Sequence, residues 1–359
     1  MEQQKLNKFA KLAAFVKKHK LPIIIVSVAL VVTAGILGYL YFVSNNLKAQ
    51  ESTPIAKAPE PPKVKYFSPL SGLEVPDEAT TKKQVKAVMI ENSPSARPQS
   101  GLNDAGVIFE AIAEGGITRF LIFYQESSPD LIGPVRSLRP YYVDWLAAFD
   151  ATVSHVGGSK NALDEIRNGT YKDIDQFFNG AYYWRATDRY APHNVYTSTQ
   201  KLDELNEKKG YTSSSFTGFE RKDEEPSETP DATSIDIDIS YNLFNVHYDY
   251  DKPTNSYTRY EAGEPHKDRE AGQLQPKNVI VIKVPAEIAF EDGYREQMTT
   301  LGSGEATIFI DGTVHQGTWE KPDKKSQIVF KDDSGELIKL NRGQTWISVI
   351  APEKSVVWQ

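Results

Sequence analysis

The hydrophobic pattern changes character several times along the chain. Leu21 to Val43 (LPIIIVSVALVVTAGILGYLYFV) is 23 residues without a charge, enough as a helix to span roughly 30 Å of hydrocarbon with some tilt. Before it, Leu6, Phe9, Leu12, Ala13 and Val16 recur at helical spacing among lysines, which predicts a short basic helix lying against the inner leaflet. After it, residues 44–65 carry Pro54, Pro59, Pro61 and Pro62 among small and charged residues, the composition of an extended, stiff linker. A cleaved signal peptide would need an apolar core of about 7–15 residues and a small-x-small site. This core is longer, and Ser44-Asn-Asn-Leu47 offers no such site.

From 66 to 212 the period switches between that of strands and that of helices, which predicts a mixed α/β domain. Val85 to Glu91, Gly106 to Glu114 and Ile117 to Gln125 read as strands, the last two joined by a Gly115-Gly116 hairpin turn. On the first hairpin strand Glu110, Ile112 and Glu114 are expected on one face, with Arg119 beyond the turn opposite Glu114 or Glu110. Pro140 stands at a helix N1 position ahead of Tyr142, Trp145, Leu146 and Phe149. A strand over 151–156 and a helix N-capped by Ser159 and stopped at Gly169 follow. Thr197 and Gln200 fit a capping box for a helix ending at Gly210. Residues 213–233 form a polar connecting loop. From 234 to 359 nearly everything is strand, with turns at Asp311-Gly312 and Ser334-Gly335, so this half is expected to be β-rich.

Composition sharpens the picture at two points. The chain has 359 residues, no Cys and a net charge of −7, so it has no disulfide, no thiolate metal site and no attachment point for a Cys-linked lipid. The first 50 residues hold seven Lys and one Glu, which leaves −13 on the remainder. The lysine bias predicts a cytoplasmic N-terminus and an outer location for the bulk of the chain. An acidic remainder argues against nucleic-acid binding, which needs a basic stripe.

Candidate chemistry concentrates between Gly133 and Ser159. Arg136, Ser137 and Arg139 sit in a turn, and His155 precedes a Gly157-Gly158-Ser159 turn that opens a helix. Guanidiniums bind carboxylates and phosphates bidentately, and free backbone N–H groups at a helix start attract anions. The competing reading is that Arg119, Arg136 and Arg139 pair with Glu110, Glu114 or Asp144 to hold loops together, and that Ser159 is a plain N-cap. Lys160 follows Ser159 without the glycine spacing of a P-loop. His155 and His193 could act as acid–base with Glu110 or Glu114, yet their spacing matches no metal motif, and no nucleophile elbow surrounds Ser137 or Ser159. Four residues along one strand face put Glu110 and Glu114 about 13 Å apart, too far for a glycosidase pair. Asp236 and Asp238 read as a solvent-facing edge or a calcium site. The aromatic run Phe177 to Trp184 packs under a loop or stacks on sugar rings.

Several long motifs carry a resemblance. Asn92-Ser-Pro-Ser-Ala-Arg-Pro-Gln-Ser-Gly101, Glu110-Ala-Ile-Ala-Glu-Gly-Gly-Ile-Thr-Arg119, Gly133-Pro-Val-Arg-Ser-Leu-Arg-Pro140, His155-Val-Gly-Gly158 and Ala191-Pro-His-Asn194 resemble the YerB-like bacterial family. In the second half Gly302-Ser-Gly304, Gly317-Thr-Trp319 and Leu340-Asn-Arg-Gly-Gln-Thr-Trp346 match its C-terminal part. The resemblance spans roughly residues 66–358 and implies an extracytoplasmic protein of unknown function with an α/β front and a β-rich rear. The family is often lipidated on Cys, whereas this chain has an apolar helix instead.

The expected arrangement is therefore a basic cytoplasmic segment (1–20), a transmembrane helix (21–43), a linker (44–65), an α/β domain (66–212), a connecting loop (213–233) and a β-rich domain (234–359). The expected function is binding or adaptor work at the cell envelope of a Gram-positive bacterium, without a metal or other cofactor. An anionic group would be held by Arg97, Arg119, Arg136, Ser137, Arg139, Gly157, Gly158, Ser159 and Asn194, and the partner would be an anionic cell-wall component or a cell-wall enzyme. The alternative is an envelope glycan hydrolase or transferase using His155 or His193 with Glu110 or Glu114.

Overall fold

The computed structural model describes residues 2–50, 64–288, 293 and 295–359. Met1–Lys63 and Val64–Gln359 are separate compact units. In the first, the helices Glu2–Lys18 and Lys20–Gln50 follow one another, and Lys20–Lys48 is long and apolar enough to cross a membrane. The helix runs seven residues past the expected end at Val43. No Pro or Gly lies between Ser44 and Gln50 to stop it. The remaining expected linker, 51–63, lies outside the described residues.

The second unit is organised by one ten-stranded mixed sheet. Its strands run, across the sheet, Val329–Asp332, Thr313–Lys321, Gly302–Ile310, Asn278–Lys283, Thr345–Ile350, Val107–Glu114, Ile117–Tyr124, Lys86–Glu91, Thr152–Ser154 and Lys172–Asp173. The two halves of the chain join where Thr345–Ile350 lies parallel to Val107–Glu114, with Trp346 opposite Ile108 and Ser348 opposite Glu110. Apolar residues cover both faces of these central strands, as strands buried on both sides require. On one face Phe109, Leu121 and Phe123 pack with Ile280, Ile308 and Trp319 against the helices Pro140–Ala147 and Lys160–Asn168. On the other, Ile108, Phe120, Ile122 and Trp346 pack against Leu202 and Leu205 of helix Thr199–Lys209. Over the rear half, a five-stranded sheet brings Ile235, Ile237 and Tyr248 onto Val279, Val281 and Phe309.

Local rules account for the turns. Gly115 and Gly116 both take positive φ, as do Asp311 and Gly312, the backbone of a two-residue hairpin loop that matches strand twist. The helix over Thr199–Lys209 is capped by Ser198, whose side chain accepts from the Lys201 amide, rather than by Thr197. Thr197 is held one residue earlier in a backbone pair with Ile132. A bulge between Ile112 and Glu114 turns Glu114 away from the face that carries Glu110. The expectation that these two carboxylates share a face is thereby corrected. Asp236 faces His247, and Asp238 faces Lys354, so both aspartates are engaged by side chains of the protein itself.

Candidate functional site

An open depression of about 530 Å³, lined by three arginines, is built from three segments. Ser95, Arg97 and Pro98 come from the turn that follows strand Lys86–Glu91. Asp188, Arg189, Tyr190 and His193 come from a loop, and Arg269 comes from the rear half. The loop is anchored at its base by the short pairing of Trp184–Arg185 with Val195–Tyr196. Asn194 stitches it: its amide donates to the carbonyls of Ala186 and Arg189, and its oxygen accepts from Arg185. The Val135 amide donates to the Val195 carbonyl, and the Arg136 amide donates to Met89. These bonds bring the loop beside the end of the strand that carries Glu91.

Charge in the depression is unevenly compensated. Arg269 pairs with Asp188 at 2.6 Å, and this hydrogen bond holds the Asp188 carboxyl below the usual range. Arg97 pairs with Glu261 at 3.0 Å; burial pushes its pKa down, and Glu261 opposes that shift. Arg189 donates only to the carbonyls of Ser95 and Pro98, and no ion pair forms to it among the described residues. His193 Nδ1 lies 3.0 Å from Glu91 Oε1, and Arg136 Nε lies 3.4 Å from the same oxygen. The Ser93 hydroxyl is 3.3 Å from His193 Nδ1 and donates to Glu91 at 3.1 Å. Serine and carboxylate thus meet the same ring nitrogen. A nucleophilic triad needs them on opposite nitrogens.

Of the residues singled out in the sequence, Arg97, Arg136, His193 and Asn194 gather at or behind this depression. The others do not. Glu110 is fully buried, bonded to Arg259 at 2.8 Å, to the Trp346 indole at 3.0 Å and to the Thr118 hydroxyl at 3.2 Å. Arg259 also stacks its guanidinium 4.0 Å from the Trp346 ring centre and donates to His266 Nδ1 at 2.8 Å. His266 is therefore a neutral acceptor; burial first, then Arg259 and Arg97, push its pKa well below the ordinary histidine value. Asn92, Arg97 and Gln99 of the proline-rich motif close this network by bonding Glu261, Asn92 and His266.

Glu114 pairs with Arg119 and Arg139, both buried, while Arg119 also donates to the Ser137 carbonyl. This is the loop-holding alternative for those arginines. His155 is fully buried, with Nδ1 bonded to the Gly157 carbonyl at 2.7 Å and Nε2 to Asp173 at 2.9 Å, so it meets neither Glu110 nor Glu114. The anion expected at the Gly157-Gly158-Ser159 turn is supplied internally. Asp175 Oδ1 accepts from the amides of Gly157 and Phe177, and its other oxygen pairs with Arg167. The Ser159 amide bonds Leu138, and Ser159 makes no side-chain cap bond.

Glu91, Asp188, Arg189 and Arg269 are site residues that sequence reasoning missed. Arg189 stands two residues before the Ala191-Pro-His-Asn194 motif, a usable signal. Arg269 arrives from the other half of the chain and carries none. Among the described residues, no group of three or more His, Asp or Glu is arranged to hold a metal ion.

Residues 70–212 match the N-terminal domain of a protein family of unknown function (DUF3048), and residues 235–347 match its C-terminal domain. The chain is 34% identical over 295 residues to the Bacillus subtilis (strain 168) protein named "Putative lipoprotein YerB", covering 80% of this chain and 86% of that one. It is also similar to the crystal structure of YerB protein from Bacillus subtilis, with a TM-score of 0.73, 31% identity, and coverage of 82% of this chain and 100% of that one. With both domains matched in order and joined through the Trp346 and Ile108 strands, the chain belongs to the two-domain DUF3048 family.

Proposed function

We propose that this is a membrane-anchored extracytoplasmic binding protein that holds an anionic group in the depression around Arg97, Arg189, His193 and Arg269. The observation that carries this reading is the convergence of three guanidiniums and an imidazole on one open surface of an otherwise acidic molecule, with no carboxylate at ion-pair distance from Arg189 among the described residues. A locally positive concavity focuses field and attracts small anions even where net charge is negative. The helix Lys20–Lys48 supports anchoring, and the lysines before it support a cytoplasmic N-terminus. In a chain without Cys, that helix takes the part a lipid plays in a lipoprotein. An anionic cell-wall component suits such a location.

The test is a thermal-shift titration of the full chain in detergent micelles with inorganic phosphate and with glucuronate. Saturating ligand, at about 100 times its Kd, stabilises by about 2.7 kcal/mol. A shift that is lost in Arg189→Gln and Arg269→Gln, both folded, supports the reading. The same shift in the variants overturns it.

A second reading, a glycan hydrolase or transferase, is favoured by the His193–Glu91 contact of 3.0 Å at the depression. Here the carboxylate is Glu91 rather than Glu110 or Glu114. Turnover of an envelope oligosaccharide that falls in His193→Gln by far more than ligand binding does would support acid–base chemistry.

A further inference from the structure

Resting on the anion-binding reading above, we infer that the ligand is an anionic glycan whose sugar ring stacks on Trp184, beside the arginine depression. A second depression of about 360 Å³ is lined by Leu131, Trp184, Arg185, Tyr196 and Glu270 and shares Asp188 and Arg269 with the first. The Asp188–Arg269 pair at 2.6 Å is thus the partition between two adjoining subsites. Each volume falls in the range of small-molecule sites.

The aromatic run divides: Tyr183 is buried and Tyr182 packs against the core, whereas its other aromatics, with Tyr190 beyond the run, face outward. Phe177, Phe178, Trp184 and Tyr190 are 70%, 72%, 39% and 91% exposed. Trp184 is nevertheless fixed, because its backbone pairs with Tyr196 and the loop is stitched by Asn194. A half-exposed indole on a fixed backbone presents an apolar face with a negative quadrupole. The C–H face of a pyranose is flat, apolar and weakly positive, so it complements that surface. Its equatorial hydroxyls point outward, where Asp188 accepts and Arg185 and Arg269 donate. The anionic substituent then reaches Arg189 and Arg97 in the first depression.

Charge narrows the class further. The aromatics are interleaved with Arg185, Asp188 and Arg189 and joined by Arg269, which breaks up the continuous apolar patch that a lipid or obligate protein partner needs. The −13 charge outside the first 50 residues disfavours a long polyanion such as nucleic acid. A short saccharide bearing a phosphate or a carboxylate meets both conditions.

The test compares ring-bearing with bare anions on the full chain in lauryldimethylamine oxide micelles, which contain neither sugar nor phosphate. N-acetylglucosamine 1-phosphate is compared with inorganic phosphate, and methyl glucuronide with acetate; the two pairs distinguish phosphate from carboxylate. In at least one pair, the ring-bearing member is expected to bind about tenfold more tightly. Trp184→Ala should abolish that advantage and leave bare-anion affinity unchanged, while Trp184→Phe should keep most of it. Equal affinities within both pairs in the unaltered protein overturn the glycan assignment whether or not Trp184→Ala folds. So does an advantage that survives in a folded Trp184→Ala, or tighter binding of an acidic peptide. In those cases bare-anion binding would still stand. Failure of every anion to bind removes the anion site itself, and the glycan with it.

Discussion

Glu110 and Arg259 are 149 residues apart, both wholly buried, and meet at 2.8 Å between strands from opposite halves of the chain. The pair is enclosed: Trp346 and Thr118 bond the carboxylate, while Tyr248 and His266 bond the guanidinium. Removing one partner leaves the other charge buried and uncompensated, a loss of about 3–5 kcal/mol. Arg259→Met is expected to destabilise by that amount in urea unfolding. Glu110→Leu with Arg259→Met should recover part of it, because no lone charge remains. Strictly additive losses in the double-mutant cycle would count against the pair as the joint of the two halves.

Glu261 gives that joint a pH dependence. Burial raises its pKa from 4.5 to about 7, against the opposing pull of Arg97. Because the folded pKa is the higher one, the folded state holds a proton that the unfolded chain releases. The resulting stability is fully present below pH 4.5 and is lost as pH rises through about 7. Glu261→Gln should therefore flatten the fall in urea midpoint across that window. Parallel profiles for the two proteins would assign the proton to another group.

Gly317 lies opposite Asp332 where the strand Thr313–Lys321 pairs with Val329–Asp332. A Cβ there would stand 2.0 Å from the Lys331 carbonyl oxygen, which is backbone and cannot swing aside. Gly317→Ala is expected to cost about 1–3 kcal/mol through strand displacement. At Gly180 the nearest atom lies 3.9 Å away, at the end of the Gln176 side chain. Gly180→Ala should stay within about 0.5 kcal/mol. Chemical denaturation of both variants checks the contrast, and equal losses would refute it.

The anchor makes a fractionation prediction. With 2–50 present, the protein should stay in the membrane pellet through an alkaline wash, since a spanning helix is held by hydrocarbon rather than by charge. Deleting residues 2–50 should move it to the soluble fraction. Full release of the intact chain by alkali would leave only peripheral attachment.

Much of the architecture was legible in order along the chain. The uncharged run from Leu21 to Val43, the Gly115-Gly116 and Asp311-Gly312 turns and the apolar helix face after Pro140 each follow from short-range rules, and each is present. Of the residues expected to bind an anion or act as acid–base, Arg97, Arg136, His193 and Asn194 lie near one another, while Arg119, Arg139, His155, Glu110 and Glu114 lie elsewhere. Partner choice was not legible. Glu114 left the face of Glu110 because one bulge residue inverts the alternation. The glycine turn before Ser159 received Asp175 because a carboxylate later in the chain folds back onto its amides.

The sequence by itself determined which segments are helix, strand and membrane-length apolar run, because those depend on periodicity and turn chemistry within a few residues. Only the tertiary structure decided that Thr345–Ile350 docks beside Val107–Glu114, that Arg259 neutralises Glu110, and that Arg269 joins Arg97 and Arg189 at one depression. The physical reason is that a buried charge accepts whichever counter-charge the packed sheets bring within reach, and that distance is set by non-local strand register, which no local pattern encodes.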